Sequence, residues 1–229
     1  MLSGQLESVD ETALLGGANL CAIGDGTPDG WELVQFCEAE LVGVNTYILR
    51  YRLRGQQGTE AAQPDIWPEG TYLVMLDGIP QQIELTDGQR RRARHYRIGP
   101  AGRSVDDPSY RHALIAFEGI GLRPLSPVHL HAVTDGAGDM SLSWIRRTRE
   151  DGDRWDTPEV PLGEEREQYL IRIVVAGDVV REQVVTGPNW TYSAAMRSSD
   201  GVAGAYQVQV AQISARFGPG VFAHLYVPD

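Results

Sequence analysis

Acidic residues alternate along one short stretch, and this spacing is the first candidate for metal chemistry. Asp151, Asp153 and Asp156 could supply carboxylate oxygens, which are the ligands that Ca²⁺ prefers. An EF-hand loop beginning at Asp151 would need Gly at its sixth position and Glu at its twelfth, but Asp156 and Leu162 stand there. We therefore interpret this stretch as a solvated loop.

Groups for nucleophilic or acid–base catalysis do not fall into a recognised pattern. No Ser lies in a Gly-x-Ser-x-Gly motif, and there is neither a Cys–His pattern nor a phosphate-binding loop. Glu164 and Glu165 could serve a glycosidase, although any acidic protein offers such pairs. His129 and His131 are close in sequence, but two ligands are too few for zinc. The sequence predicts no catalytic residue, no metal and no cofactor, with a carbohydrate-active enzyme as the remotest class.

Basic residues are concentrated in residues 90–97, where five of eight positions are Arg. Arg91 and Arg94 are the side chains that we expect to meet an acidic neighbour or a phosphate. The other interpretation is a solvated edge strand, whose charges block aggregation between sheet edges. The sequence leaves both open.

Aromatic residues in predicted loops are a second kind of candidate. Trp155 and Trp190, together with Trp67, lie in loops or at strand ends and could stack on sugar rings. A loop Trp more often covers the core of its own domain. Glycan binding is therefore retained as an alternative.

Charge and composition exclude several classes. The chain has 229 residues and a formal net charge of −11, which argues against nucleic-acid binding and would repel an anionic membrane. No apolar run approaches the ~20 residues of a membrane span, and the first residues do not resemble a signal peptide. Cys21 and Cys37 are interpreted as two buried thiols. We expect a soluble protein made in the cytoplasm.

The elements that must position these residues are strands. In residues 140–148, Met140, Leu142 and Trp144 share one strand face because strand side chains alternate with period two. Two further runs open with Tyr169 and Tyr206, and these three apolar faces predict the core of a fibronectin type III-like β-sandwich. The core list is Met140, Leu142, Trp144, Tyr169, Ile171, Ile173, Tyr206, Val208 and Val210.

The sequence of the first half predicts mainly strands, including one over residues 81–86, and a barrel or sandwich-like domain of about six to eight strands. Residues 9–15 could form one helical turn, capped by Asp10 or Thr12. Two prolines, Pro124 and Pro127, mark a short, stiff linker. The predicted fold class is all-β, with a domain over residues 1–123 and the sandwich over residues 124–229.

Two sets of stretches carry a family resemblance. The first set comprises residues 33–39 (LVQFCEA), 47–53 and 53–60 (LRGQQGTE). The second comprises residues 125–130 (LSPVHL), 142–149 (LSWIRRTR), 152–156 (GDRWD) and 160–165 (VPLGEE). In this order they resemble the C-terminal region of the large tail-tip (hub, or megatron-type) protein of gene transfer agents and related siphophages. In the motif at 53–60, Gly55 and Gly58 suit a tight turn. Arg54 and Glu60 flank this turn and could pair across it or reach a neighbouring subunit.

The resemblance implies a structural component of a tail tip or baseplate. The lack of a nucleophile with a base, a metal shell or a cofactor loop in the sequence predicts that this component is not an enzyme. Its first domain would dock on the hub and the distal tail protein, and its sandwich would project toward the host. The resemblance also implies a homotrimer and a location in the virion, after synthesis in the bacterial host cytoplasm. The alternative is a module that binds a glycan or receptor on the host surface.

Overall fold

The computed structural model describes residues 5–28, 30–78, 83–84, 86–150, 152 and 160–229. It is an all-β protein, as the sequence predicts, and it divides into the units Met1–Ile120 and Gly121–Asp229. The sequence places this boundary after residue 123. Residues 121 and 124 hydrogen-bond to the second unit, because Gly121 O accepts from Arg149 Nη1 at 2.9 Å and Pro124 O accepts from Val221 N at 3.4 Å.

The first unit contains two antiparallel sheets. The larger sheet has the strand order β3-β2-β1-β4, and β5 pairs with β6 in the smaller one. The elements are α1 (Glu11–Leu15), β1 (Cys21–Gly24), β2 (Trp31–Gly43), β3 (Thr46–Leu53), β4 (Tyr72–Met75), β5 (Arg94–Ile98) and β6 (Arg111–Ile115). Short 3₁₀ turns are Gln56–Gly58, Glu60–Ala62, Asp87–Gln89 and Ile120–Leu122.

One predicted strand is not observed where the structure can be read. Of residues 81–86, only Ile83, Glu84 and Thr86 are described, and none of them lies in a strand. The described residues that follow form the 3₁₀ turn Asp87–Gln89, in which Thr86 O accepts from Gln89 N at 2.8 Å. The carbonyl group of Thr86 is therefore used in this local turn and not in a β-sheet.

The core of the first unit is small. Cys21, Val34 and Phe36 are buried on the larger sheet, and half-buried side chains such as Ile23 and Met75 pack around them. The helix α1 is capped by Asp10, whose carboxylate accepts from Ala13 N at 2.8 Å. The amide of Gln35 ties this segment to β2 by donating to Leu14 O and Ala18 O, each at 2.8 Å.

The second unit is a sandwich of two antiparallel sheets. Its elements are β7 (Val128–Thr134), β8 (Met140–Ile145), β9 (Tyr169–Val175), β10 (Asp178–Val185), β11 (Asn189–Tyr192), α2 (Ala194–Ser199), β12 (Tyr206–Ser214), β13 (Gly218–Pro219) and β14 (Ala223–Val227). One sheet has the order β11-β8-β7, and in the other β10, β9, β12 and β14 follow one another, with β13 also pairing with β12. This three-plus-four arrangement is that of a fibronectin type III domain.

The predicted core of the sandwich is confirmed. All nine residues of the core list are buried, and Tyr192 and Val202 join them. The ring of Trp144 meets that of Tyr169 edge to face, with the centroids 5.1 Å apart. Strand alternation predicted the buried residues correctly because each of these strands buries one face. Neither α1 nor α2, the two α-helices of the described chain, is long and apolar enough to cross a membrane.

Candidate interaction surfaces

The glycine-containing motif at residues 53–60 folds around a buried carboxylate, that of Glu32. Glu32 Oε1 accepts from Arg54 Nε at 3.0 Å and from Gly55 N at 2.9 Å. Its Oε2 accepts from Arg54 Nη2 and Trp67 Nε1, each at 2.7 Å. Burial raises the pKa of Glu32, but the hydrogen bonds from Arg54, Trp67 and Gly55 outweigh burial and lower this pKa overall.

Arg54 has an acidic partner that the sequence did not suggest, Glu32 of β2. Its guanidinium binds Glu32 in a two-pronged ion pair and also donates to Pro64 O at 2.9 Å. Gly55 has φ +62°, and a Cβ there would lie 3.1 Å from Glu60 Cα, so both the backbone conformation and the space favour Gly. Gly58 also has a positive φ, of 82°. The motif therefore anchors a loop onto β2.

Sequence reasoning missed Glu32, although a signal for it is present. Glu32 stands among Trp31, Leu33 and Val34, apolar residues that fall on both faces of a strand, as in a strand buried on both sides. A carboxylate in such a strand requires a cationic partner, because an unpaired buried charge is costly. The partner could have been sought among the arginines of the neighbouring predicted strand.

A pocket of about 510 Å³ lies beside this ion pair on the larger sheet. Its apolar lining comes from both the sheet and the anchored loop and includes Ile23, Val34, Leu49, Ile66, Trp67 and Leu73. Cys21 also lines it, but burial and the charge of Glu32 raise the pKa of this thiol to about 11, so it is protonated at neutral pH. The pocket suits apolar side chains better than covalent chemistry.

The end of the β2–β3 hairpin extends beyond the rest of the sheet. β1 pairs with β2 only from Trp31 to Val34, whereas β3 pairs with β2 from Gln35 to Gly43. We call residues 40–48 the ribbon tip. It exposes four apolar side chains, with Leu41 58%, Val42 50%, Val44 93% and Ile48 41% exposed. A two-stranded ribbon of this kind has little stability by itself.

Burial differs sharply between the two units. Among the described residues, four of the seventeen buried hydrophobic residues belong to the first unit and thirteen to the second. Of nineteen exposed large hydrophobic residues, thirteen belong to the first unit and six to the second. The first unit therefore exposes more large hydrophobic side chains than it buries, whereas the second unit buries more of them than it exposes.

The two arginines singled out in the predicted basic cluster have different surroundings in the structure. Arg91 precedes β5, has φ +58°, and its Nε donates to Glu118 Oε2 at 2.7 Å. Arg94 opens β5 and is exposed. Arg91 thus has an acidic partner within its own unit, which the sequence could not show because the two residues are 27 positions apart.

Of the aromatic candidates, Trp190 lies on the sandwich. Its ring stacks on Tyr192 at 5.5 Å between centroids, and it packs half-buried against the core. Trp67 is occupied by its hydrogen bond to Glu32. Trp155 lies outside the described residues, as do Asp151, Asp153 and Asp156 of the acidic stretch. Within the part that can be read, no group of three or more His, Cys, Asp or Glu is placed to hold a metal.

The second unit has its own polar anchor, which the sequence did not reveal. Arg181 of β10 donates to both carboxylate oxygens of Asp200, at 2.6 and 2.8 Å, and Tyr192 Oη donates to the same carboxylate at 2.8 Å. The hydrogen bonds from Arg181 hold the pKa of Asp200 below its ordinary value. Since Tyr192 belongs to the other sheet, this anchor links the two sheets.

Comparison with known proteins finds a family only for the first part of the chain. Residues 1–74 match the family model described as "Rcc01698-like, C-terminal", which is about a third of the chain. No curated protein matches.

Three solved structures match this chain at low sequence identity and low TM-score. The structure of "FN3tt mut" is 12% identical with a TM-score of 0.32, covering 46% of this chain and 96% of that one. Domains d3–d4 of rat CD45 are 9% identical with a TM-score of 0.35, covering 99% of both chains. The FN1–FN3 domains of chicken CNTN1 are 11% identical with a TM-score of 0.32, covering 91% and 55%. The assignment of the sandwich rests on its strand order.

Proposed function

We propose that the chain is a structural component of a phage-like tail tip, of the siphophage or gene-transfer-agent kind. The first unit docks on neighbouring tail-tip proteins such as the hub and the distal tail protein, and the sandwich projects toward the host. The family match over residues 1–74 supports the docking unit, since it covers the large sheet and the motif that anchors onto Glu32.

The observation that carries the proposal is the exposed apolar surface of the first unit. Apolar area in water costs about 25 cal/mol per Å², and monomeric proteins seldom leave large apolar patches uncovered. The ribbon tip concentrates this surface where the hairpin leaves the sheet, with Val44 93% exposed. A partner that covers the tip would gain affinity and would also stabilise a hairpin that is weak alone.

The sandwich, in contrast, buries its hydrophobic residues within itself. Its buried aromatic and aliphatic core needs no partner to exclude water. A self-sufficient domain beside a partner-dependent one fits a protein that attaches through one end. Glycan binding has less support in the described residues, because Trp190 packs against Tyr192.

The proposal is tested by incorporation into particles. The double variant Val42→Glu with Val44→Glu places two negative charges on the ribbon tip. Because both side chains are exposed, we expect the fold to tolerate these charges. We expect the double variant to stay folded but to be lost from purified particles, as measured by immunoblot against a capsid protein.

The matched control is Val179→Glu with Val184→Glu. These residues are each 48% exposed on β10 of the sandwich, so the substitutions add the same charge away from the docking unit. The control variant should enter particles normally. Normal incorporation of the ribbon-tip variant, or absence of the unaltered chain from particles, would overturn the proposal.

A further inference from the structure

The β5–β6 hairpin turns one face inward and leaves the other open. Tyr96, Ala113 and Ile115 alternate on the half-buried face, and Tyr96 meets Phe117 edge to face at 5.8 Å. The cross-strand pairs His95–Leu114 and Arg97–His112 share the opposite face, and all four of these side chains are exposed. We call these four residues the dyad face.

Two imidazoles on the dyad face are joined directly. His95 Nδ1 lies 2.8 Å from His112 Nε2, and the ring planes differ by only 13°. The ring centroids are 5.1 Å apart, and together with the short N···N distance this fits two nearly coplanar rings that point at each other edge to edge. One nitrogen must donate its proton and the other must accept it, so the contact requires that the accepting ring be neutral.

The two strands that carry the dyad are basic. Neither β5 nor β6 contains an acidic residue, and Arg97 shares the dyad face while Arg94 and Arg111 lie on the same two strands. Glu118, an acidic residue close by in sequence, already accepts from Arg91. A second proton on the dyad would therefore meet only positive neighbours on these strands, unless an anion approached from outside.

Charge is also segregated along the first unit. Residues 86–118 contain seven Arg and four acidic residues, whereas residues 1–78 contain three Arg and twelve acidic residues. The basic hairpin thus stands out from an acidic chain whose net charge of −11 would repel long polyanions. A short acidic segment, which contacts the hairpin alone, avoids most of this repulsion.

We propose that the dyad face, formed by His95, Arg97, His112 and Leu114, docks a carboxylate-bearing segment of a partner protein and holds it more tightly as the pH falls. A carboxylate pairs with Arg97 at any physiological pH. It also favours full protonation of the imidazoles, which are the side chains that ordinarily change charge between pH 5 and 8. Leu114, 59% exposed, offers an apolar contact beside the charges.

The direction of the pH effect follows from linkage. The complex binds more protons than the free protein does, so affinity rises on acidification. The inference is independent of the ribbon tip on which the proposed function rests, since it concerns a different sheet and a different chemistry.

The test uses the full chain and a labelled peptide of sequence Glu-Glu-Leu-Glu-Glu with blocked ends. Fluorescence anisotropy at low salt should show binding that is about threefold to fivefold tighter at pH 5.5 than at pH 7.5, the contribution of about one added exposed ion pair. His95→Gln with His112→Gln should retain the binding at pH 7.5 and lose this increase. Arg97→Gln should weaken binding at both pH values.

Three controls make the result decisive. His129→Gln with His131→Gln changes two exposed histidines of the sandwich and should leave the increase intact. The single variant His112→Gln also breaks the dyad but changes only one residue, so it controls for misfolding of the double variant. Circular dichroism checks the fold of both variants. A peptide with Gln in place of Glu should not bind.

Several outcomes would overturn the inference. They are an unchanged pH increase in the dyad variants, equal binding of the neutral peptide, or no binding by the unaltered chain. Tighter binding of a DNA oligonucleotide through the same residues would replace the protein partner with a nucleic acid. Self-association that tightens at pH 5.5 in sedimentation, and that the dyad variants abolish, would identify the acidic partner as a second copy.

Discussion

Replacing Glu32 with Gln tests whether one buried carboxylate holds the first unit together. The carboxylate accepts four hydrogen bonds, two on each oxygen, from Arg54, Gly55 and Trp67. A Gln side chain has a single acceptor oxygen, so two of these donors would face an N–H₂ group. Glu32→Gln keeps the shape of the side chain and removes both the charge and half of the acceptors.

The expected loss can be estimated from the geometry. Removing one member of a buried ion pair costs about 3–5 kcal/mol, and a hydrogen bond to a charged group contributes about 1.5–3 kcal/mol. Glu32 is fully buried but the Arg54 side chain is 25% exposed, so water compensates part of the loss. We expect the free energy of unfolding of the first unit to fall by about 2–4 kcal/mol.

Urea titration with hydrogen exchange and mass spectrometry resolves the two units in one sample. Amides of β1 and β2 should lose protection in Glu32→Gln, whereas amides of β9 and β12 should keep theirs. Glu38→Gln is the matched control, because it removes the same charge from a partly exposed position on the same strand and should cost less than about 0.5 kcal/mol.

Acid titration provides an independent check. Because the pKa of Glu32 is lowered in the folded protein, its stabilising contribution is complete above its ordinary pKa of 4.5 and is lost as the pH falls further. The acid limb of the first unit should therefore be flatter in Glu32→Gln. A loss no larger than that of Glu38→Gln, or an equal loss of protection in both units, would refute the reasoning.

Three further expectations concern the sandwich. Trp144→Ala should lower its free energy of unfolding by about 3–5 kcal/mol in urea titration, since the ring is buried against Tyr169; a loss under 1 kcal/mol would contradict the assigned core. Asp200→Asn should cost about 1–3 kcal/mol at pH 7 and progressively less as the pH falls below 3.8, the ordinary pKa of this carboxyl, because a lowered pKa stabilises only while the carboxylate is ionised. A cost that does not change with pH would count against the anchor. A fragment of residues 121–229 should have a higher melting temperature than a fragment of residues 126–229, because Pro124 is buried and its carbonyl oxygen accepts a hydrogen bond from Val221 N. Identical melting temperatures would show that residues 121–125 are dispensable.

The part of the fold that could be predicted from the sequence is the part set by local alternation. The alternation of Met140, Leu142 and Trp144 with polar residues indicates a half-buried strand, because a strand of a sandwich has one face in water. The helix α2 gave no such signal, since its six residues complete fewer than two turns. It forms because Ser193 caps it, accepting from Met196 N at 3.1 Å, and because Arg197 donates to Gly138 O.

The candidate site was less predictable because it depends on contacts that are distant in sequence. The motif at 53–60 was recognised, but the sequence did not identify Glu32 as an acidic partner of Arg54. Pairing of Gln35 with Leu53 in the β2–β3 ladder brings Arg54 to Glu32, 22 positions away. Register over such distances is set by the folded sheet. The dyad of His95 and His112 was missed for the same reason.

The central claim is that the chain is built into a tail tip through its first unit, and cryo-electron microscopy of purified particles tests it most directly. The account predicts density for the chain at the tail tip, with the ribbon tip buried against a neighbouring protein and the sandwich outermost. Particles that lack this density, or that hold the chain by the sandwich with the ribbon tip in solvent, would contradict the claim.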